Sequence, residues 1–277
     1  MADAGRVRGL EELGARDVEL AGGKGANLGE LVRGGFRVPP GFVVTTDVHA
    51  GAEHDSVPPD AAAEIAEAYA RIGSPPVAVR SSATAEDSPG ASFAGQYATF
   101  LDVQGAEAVV DAVARCWRSL TGERAVAYGR ERGVEGTLRI AVVVQEMAPH
   151  ESAGVVFTVN PLSGDRGELL VNAARGSGEA LVGGEVVPDS WVARRPDGAV
   201  LSFTPAPRGV PRTAGARALP VRPSLTSDRV RDLARLALRV EAHFGGVPQD
   251  IEWSYGGGAF HLLQARPITT ISLVDER

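Results

Sequence analysis

Apolar and polar residues alternate along the chain in two periods, which predicts short strands and amphipathic helices mixed throughout. Helical spacing predicts helices over 26–33, 60–71, 106–119, 121–132 and 228–244, with Asp60 as the expected N-cap of the second. Short apolar runs predict strands over 42–45, 77–80, 96–103, 139–144, 154–159 and 168–173. A loop is expected over 205–224, which is rich in Pro, Arg and Ala. This mixture indicates the α/β (α+β) class.

The last part of the pattern, PQDIEWSYGGGAFHLLQARPIT, predicts a β-hairpin with polar residues inside apolar strands. A three-residue glycine turn would place Glu252 opposite Leu262 and diagonal to Gln264, with Arg266 further along the same face. A carboxylate and an amide oxygen suit Mg²⁺, and a guanidinium beside them can bind phosphate oxygens. A solvated polar face is the alternative. The opposite face is expected in the core and carries Ile251 and Trp253.

Composition and charge narrow the class of protein. The chain has 277 residues, enough for one large domain or two joined lobes. Its net charge of −7 argues against nucleic acid and anionic membrane surfaces as partners. One cysteine, Cys116, excludes an internal disulfide, and no apolar stretch is long enough to span a membrane. We therefore expect a cytoplasmic protein.

A single lysine, Lys24, stands among 28 basic residues, so the other 27 are arginines. An ammonium is a compact donor that a guanidinium cannot replace in a tight site. Lys24 lies in AGGKGAN, before the predicted helix 26–33, which carries Leu28, Leu31 and Val32 inward. The glycines allow a close backbone approach to a ligand, and Gly-Lys-Gly before a helix suits phosphate oxygens. A flexible loop with a surface lysine is the alternative.

A polar loop begins beside Arg80, in VAVRSSATAEDSPGASFAGQYATF. It concentrates hydroxyl groups, small residues and glycines, and such loops can cradle phosphates through their N–H groups. Its acidic pair, Glu86 and Asp87, is interpreted as an outward-pointing turn rather than a metal site.

A third segment, VVVQEMAP, ends a buried strand at Gln145 and Glu146. Backbone groups there are able to pair with an adenine edge while Met147 packs on the ring. An ordinary strand end is the alternative.

Together these stretches resemble the ATP-binding domain of the phosphoenolpyruvate synthase, pyruvate phosphate dikinase and rifampin phosphotransferase family. The resemblance covers nearly the whole chain, in the order GGKGANLGEL, VPPGFVVTT, VAVRSSATAEDSPGASFAGQYATFLDV, VVVQEMAPHESAGVVFTVNPLSGDRGELLVNAARGSGEALVGGEVVPDSW and PQDIEWSYGGGAFHLLQARPIT. It implies an ATP-grasp fold whose two lobes close on Mg-ATP. We expect an N-terminal lobe over 1–148 and a C-terminal lobe over 149–277.

The resemblance also implies roles for individual residues, with ATP and Mg²⁺ as cofactors. The catalytic phosphate contacts are Lys24, Arg80 and Arg266, and a further nucleotide contact is Thr99. The Ser/Thr-Gly loop falls near the transferred phosphoryl group. The segment that holds adenine between the lobes is Gln145, Glu146, Met147 and Ala148. The magnesium positions are Glu252 and Gln264.

Departures from the family pattern concern the acceptor. Complete family members continue into a domain whose histidine carries the phosphoryl group, whereas this chain stops just after ARPIT. None of its histidines occupies that carrier motif, and all are interpreted as structural or surface residues: His49, His54, His150, His243 and His261. The stretch between VVTT and VAVR is shorter than usual, and the GLGE loop reads GSGE, with Arg175 where a tryptophan is common.

Three hypotheses follow. The first is a split enzyme that binds Mg-ATP and transfers a phosphoryl group to a histidine of a separate carrier and substrate-domain protein. It would cleave ATP to AMP and phosphate and serve a small-molecule final acceptor. The second is a stand-alone kinase or ligase that acts directly on a small molecule. The third is a module that binds ATP without turnover.

Overall fold

The computed structural model describes the chain in six stretches, which are residues 5–50, 56–84, 98–120, 139–176, 186–207 and 222–268. The chain divides into two units, Met1–Ala148 and Pro149–Arg277. Within the described residues, each unit has one antiparallel sheet, accompanied by four helices in the first unit and by one in the second. This combination confirms the predicted α/β (α+β) class.

The first unit is built on five strands, which are β1 (Val7–Gly9), β2 (Gly41–Val44), β3 (Val77–Ala83), β4 (Thr99–Val103) and β5 (Ile140–Glu146). Their order in the sheet is β1-β2-β5-β3-β4, and all neighbours are antiparallel. A 3-10 turn covers Leu10–Glu12. The helices are α1 (Val18–Arg33), α2 (Thr46–Ala50), α3 (Pro59–Arg71) and α4 (Ala106–Leu120).

One face of this sheet forms the core with α3 and α4. Alternate residues of the central strands, such as Val79 and Val144, point to that face because side chains alternate along a strand. α4 supplies apolar positions at helical spacing: Val109, Ala112, Val113, Cys116 and Trp117. Cys116 is fully buried in this core, and burial raises the pKa of its thiol to about 12.

α1 packs on the opposite face of the same sheet through small residues. A Cβ added at Gly25 would lie 3.1 Å from the Val43 side chain, so glycine lets the helix approach the strands closely. Leu28 and Leu31 are fully buried, as predicted, whereas Val32 is only half-buried. The helix extends back to Val18, whereas the sequence predicted only 26–33.

Most predicted elements occur within one to three residues of their expected bounds. Asp60 is not the N-cap of α3, because Pro58 takes that position and Asp60 lies in the first turn, paired with Arg6. The predicted helix 121–132 and most of the polar loop after β3 lie outside the described residues.

The second unit contains six strands, which are β6 (Ser152–Phe157), β7 (Glu168–Arg175), β8 (Asp189–Arg194), β9 (Val200–Thr204), β10 (Gln249–Gly256) and β11 (Ala259–Pro267). Their order is β11-β10-β6-β7-β8-β9, again antiparallel. The sequence pattern did not predict β8 and β9. One helix, α5 (Ser227–His243), begins after Thr226, whose side chain accepts a hydrogen bond from the Arg229 N–H.

α5 covers one face of the second sheet. Its apolar positions Val230, Leu233 and Val240 are fully buried, as are Ile251 and Trp253 of β10, which confirms the predicted core face of the hairpin. Among the described residues, none of the helices has both the length and the apolar character that a membrane span requires.

Asp189, at the start of β8, fastens two distant parts of the second unit. Its side chain is 1% exposed and accepts hydrogen bonds from the Ala206 N–H (2.8 Å), the Ser224 N–H (2.7 Å) and the Ser224 hydroxyl (2.8 Å). The hydroxyl also lies 3.2 Å from the Ala173 carbonyl oxygen. One buried carboxylate therefore holds the chain on both sides of residues 208–221, which are outside the described part.

We expect Asp189→Ala to lower the free energy of unfolding by about 2–4 kcal/mol, because buried donors lose a charged acceptor. The measurement is urea denaturation, with unfolding monitored by tryptophan fluorescence. Asp197→Ala is the matched control, since Asp197 pairs with Arg194 at an exposed position, and it should leave the midpoint nearly unchanged. Equal shifts for both variants would contradict the role of Asp189.

Candidate functional site

Lys24 lies inside α1 and is buried in the first unit. Its side chain is 9% exposed, and Nζ donates a hydrogen bond to the Ser81 carbonyl oxygen of β3 at 3.3 Å. The alternative of a surface lysine on a flexible loop is therefore wrong. The ammonium is positioned at β3, one residue after Arg80.

A kink in α1 sets this position. Gly22 has φ 67° and ψ 170°, and a Cβ there would lie 2.2 Å from the Ser82 carbonyl oxygen. The Ser82 hydroxyl donates to the Ala21 carbonyl oxygen (2.8 Å) and accepts from the Gly25 N–H (3.1 Å). Gly22 thus serves a close approach to β3, which differs from the predicted approach to a ligand.

Arg80 lies on the same face of the sheet as two other predicted site residues. Its Nη2 donates to Gln145 Oε1 at 2.6 Å, and Gln145 Nε2 donates to the Pro39 carbonyl oxygen at 3.2 Å. Arg80 pairs in register with Thr99 on one side and Val143 on the other. The structure therefore brings Arg80, Gln145 and Thr99 together, and the Gln145 side chain holds the guanidinium.

The rest of the predicted adenine segment is fastened by its backbone. The Glu146 N–H donates to the Pro40 carbonyl oxygen at 2.8 Å, and the Met147 N–H donates to the Pro76 carbonyl oxygen at 2.9 Å. Ala148 is buried, while the side chains of Glu146 and Met147 are half-buried. These two N–H groups are engaged within the first unit, so they do not serve as free donors for a base.

The terminal hairpin differs from its predicted register. Gly256 pairs with Ala259, so the turn has two residues, Gly257 and Gly258, both with positive φ. A bulge follows, and Trp253 instead of Glu252 pairs with Leu262. The three-residue turn was therefore the wrong prediction.

The bulge brings the two predicted magnesium positions closer than expected. Glu252 lies directly opposite Gln264 rather than diagonal to it. Directly opposed residues share a face with Cβ atoms about 4.5–5.5 Å apart. A carboxylate and an amide oxygen at that separation fit a small oxygen-binding cation.

Asp250 is a residue of this face that sequence analysis missed. It lies opposite Arg266, and Arg266 Nε donates to Asp250 Oδ2 at 2.9 Å. Burial raises the pKa of the Asp250 carboxyl, while the Arg266 charge acts in the opposite direction. The sequence did indicate that Asp250 shares a strand face with Glu252, because the two residues are two positions apart. Its pairing with Arg266, however, depends on the bulge.

The Ser/Thr-Gly loop and the GSGE loop are only partly covered by the described residues. Ser81 and Ser82 of the Ser/Thr-Gly loop belong to β3, while Glu86, Asp87 and the rest of that loop through residue 97 lie outside the described residues. The GSGE loop is described only at Gly176. Arg175 ends β7 and donates from Nη2 to the Pro223 carbonyl oxygen at 3.3 Å.

The donor set of the hairpin is small. Among the described residues, no three or more His, Cys, Asp or Glu side chains are grouped as a metal site. Mg²⁺ commonly uses one or two protein carboxylates together with substrate phosphates and water. Glu252 and Gln264 therefore fit Mg²⁺ better than a metal such as Zn²⁺, which takes three or four protein ligands.

Comparison with known proteins gives a family match. A family model described as "Pyruvate phosphate dikinase, AMP/ATP-binding domain" matches residues 48–276. A probable phosphoenolpyruvate synthase of Methanothermobacter thermautotrophicus is 41% identical, covering 96% of this chain and 46% of that protein. A rifampicin phosphotransferase of Streptomyces sviceus is 40% identical, covering 98% and 36%. The crystal structure of PH1788 from Pyrococcus horikoshii has a TM-score of 0.46 at 16% identity, covering 94% and 95%.

The chain spans less than half the length of these two curated relatives. The alignments run over 319 and 317 positions, more than the 277 residues of the chain, so both contain gaps in this chain. The shortening expected between VVTT and VAVR stays a prediction, because the position of the gaps is not fixed by these lengths.

We expect Gly22→Ala to destabilise the protein more than Gly35→Ala. Both glycines have positive φ, so each variant carries a backbone cost of about 1–3 kcal/mol, and Gly22, with ψ 170°, lies in a region that is essentially restricted to glycine. Only at Gly22 does the new Cβ meet β3, whereas nothing lies within 4 Å at Gly35, and overpacking adds about 1–3 kcal/mol. Urea denaturation of the two variants measures the difference. Equal losses would show that the contact between α1 and Ser82 is not tight.

Proposed function

The chain belongs to the family of the pyruvate phosphate dikinase AMP/ATP-binding domain, and on this premise we propose that it binds Mg-ATP and begins a dikinase-type phosphoryl transfer. One phosphoryl group of ATP passes to a histidine of a carrier and substrate-domain protein and a second passes to water, so that ATP and water yield AMP, inorganic phosphate and the phosphorylated histidine. The observation that carries this proposal is the placement of two buried cationic side chains: Lys24 of α1 donates to the Ser81 carbonyl oxygen of β3, and Arg80 is the residue before Ser81 on that strand. Such a pair suits the polyphosphate of a nucleotide.

Phosphoryl transfer depends mainly on positioning and charge neutralisation. In this proposal Lys24 and Arg80 bind phosphate oxygens, and Gln145 keeps the Arg80 guanidinium in place through its 2.6 Å hydrogen bond. Thr99, in register with Arg80, contributes a hydroxyl beside the nucleotide. Arg266 of the hairpin is the third phosphate contact.

Glu252 and Gln264 are proposed to hold Mg²⁺. When bound, the ion neutralises phosphate charge and orients the phosphate chain. The directly opposed register of the two side chains supports this role, since both sit on paired strands of a sheet rather than on a mobile loop. The Ile251 and Trp253 side chains anchor β10 in the core behind them.

The adenine is proposed to lie against residues 145–148. Because the Glu146 and Met147 N–H groups donate to Pro40 and Pro76, we expect pairing at these two residues to use carbonyl oxygens as acceptors for the adenine amino group. We also propose that the chain has the ATP-grasp fold, with an N-terminal lobe over 1–148 and a C-terminal lobe over 149–277. The reaction is proposed to take place in the cytoplasm.

The final acceptor is proposed to be a small molecule reached through the carrier histidine. Relatives of similar identity carry names that point to two different reactions, phosphoenolpyruvate synthase and rifampicin phosphotransferase. We therefore expect the acceptor to be selected by protein beyond the segment that these relatives share with this chain. A direct small-molecule kinase and a binding-only module are outcomes that the first experiment separates.

We expect the purified chain to form AMP from Mg-ATP when it is mixed with the carrier protein, and Lys24→Ala to reduce this rate by at least about 100-fold. The measurement is chromatographic separation of AMP from ADP, together with detection of phosphohistidine on the carrier. Lys24→Arg keeps the charge but not the compact donor, and we expect it also to lose most activity.

The fold of both variants is checked by urea denaturation. Undiminished AMP formation by a folded Lys24→Ala variant would remove Lys24 from the mechanism. ADP as the sole product would replace the dikinase by a direct kinase, and tight ATP binding without turnover would leave a binding module.

A second prediction concerns the metal. We expect Glu252→Gln to raise the Mg²⁺ concentration needed for half-maximal ATP binding by about tenfold or more, because a charged oxygen ligand becomes neutral. Isothermal titration calorimetry at several Mg²⁺ concentrations measures it. Glu67→Gln makes the same chemical change at an exposed position of α3 and should have no effect. An unchanged Mg²⁺ requirement in Glu252→Gln would exclude Glu252 as a ligand.

A further inference from the structure

Asp250 and Arg266 form an ion pair on the hairpin, beside the pair Glu252 and Gln264. The two residues are directly opposed in register, and Arg266 Nε lies 2.9 Å from Asp250 Oδ2. The Asp250 side chain is 13% exposed and that of Arg266 is 44% exposed. A nearly buried carboxylate thus holds a half-exposed guanidinium.

We propose that Asp250 is a positioning residue for Arg266. Its carboxylate fixes the guanidinium through Nε, so that the terminal Nη groups take a set place beside Glu252 and Gln264. This inference rests on the proposed function, in which Arg266 binds a phosphate of ATP.

Asp250 lies on a strand that can hold its carboxylate rigidly against Arg266. β10 is an interior strand, paired with β11 on one side and with β6 on the other, where Asp250 is opposite Phe157. Arg266 lies near the end of β11, which borders the sheet. A long arginine side chain at a half-exposed position loses rotamer freedom when it binds a ligand, and a bond formed beforehand reduces that loss.

The other reading of Asp250 is a magnesium ligand together with Glu252, since residues two apart on a strand share a face. The geometry favours positioning. Asp250 Oδ2 already accepts from the guanidinium, and a divalent cation on the same carboxylate would lie next to that positive charge. The two readings predict different behaviour when Arg266 is removed.

A double-mutant cycle separates them. We expect Asp250→Ala to raise the dissociation constant of Mg-ATP by about two- to tenfold, the range for loss of preorganisation of one long side chain. Arg266→Ala should raise it at least as much. The double variant should match Arg266→Ala within about twofold, because Asp250 then has no guanidinium to hold.

The affinities are measured by isothermal titration calorimetry on the full chain, with the Mg²⁺ requirement followed in parallel. An independent effect of Asp250→Ala in the Arg266→Ala background, or a raised Mg²⁺ requirement, would overturn the inference in favour of a metal ligand. An unchanged dissociation constant in Asp250→Ala would overturn it as well.

A matched control comes from the same unit. Arg194 and Asp197 form an ion pair with Nη2 and Oδ2 2.7 Å apart, outside the hairpin. Arg194→Ala and Asp197→Ala should leave Mg-ATP affinity unchanged. If Asp250→Ala does not fold, Asp250→Asn keeps the shape of the side chain and weakens the bond to Nε, and the same cycle applies with a smaller effect.

The cycle also distinguishes this inference from the proposed function. A wild-type chain that does not bind Mg-ATP would contradict the function itself. Binding by the wild type with additive effects of the two substitutions would contradict only the positioning role of Asp250.

Discussion

The hydroxyl of Ser82 is the contact on which the candidate site of the first unit depends. By donating to Ala21 and accepting from Gly25, it joins both sides of the α1 kink to β3. Lys24 lies between these attachment points and reaches Ser81, next to Arg80. A helix with larger side chains could not lie this close to the strand, so the glycines of α1 and the placement of the ammonium are one structural property.

In the second unit a β-bulge, rather than a helix kink, places the candidate site residues. A single bulge between paired strands changes which side chains face each other, and it aligns Glu252 with Gln264 and Asp250 with Arg266. A bulge bends its strand locally and changes which side chains face each other beyond it. In both units strand residues supply most of the candidate chemistry from one face of a sheet, whereas Lys24 comes from α1, the helix that packs on that face in the first unit.

Sequence periodicity predicted most helices and strands, because apolar spacing reflects burial directly. It did not predict the extension of α1 to Val18, since three glycines interrupt the helical pattern there. The strands β8 and β9 were missed, and four of the five β9 residues are exposed, which leaves little apolar signal. At the site, the main error was the predicted register of the two hairpin strands. The two-residue turn and the bulge depend on pairing between strands, so the pairing of Asp250 with Arg266 was not recognised. The roles of the site residues stay predictions.

The scarcity of lysine has a consequence for chemical labelling. Within this chain, reagents that acylate amines have one side-chain target, and that target is 9% exposed with its Nζ bound to a backbone carbonyl. The rate of its modification therefore measures how often α1 separates from β3 at Ser81. A side chain that arginine has replaced elsewhere in the sequence thus becomes a reporter of local opening at one defined contact.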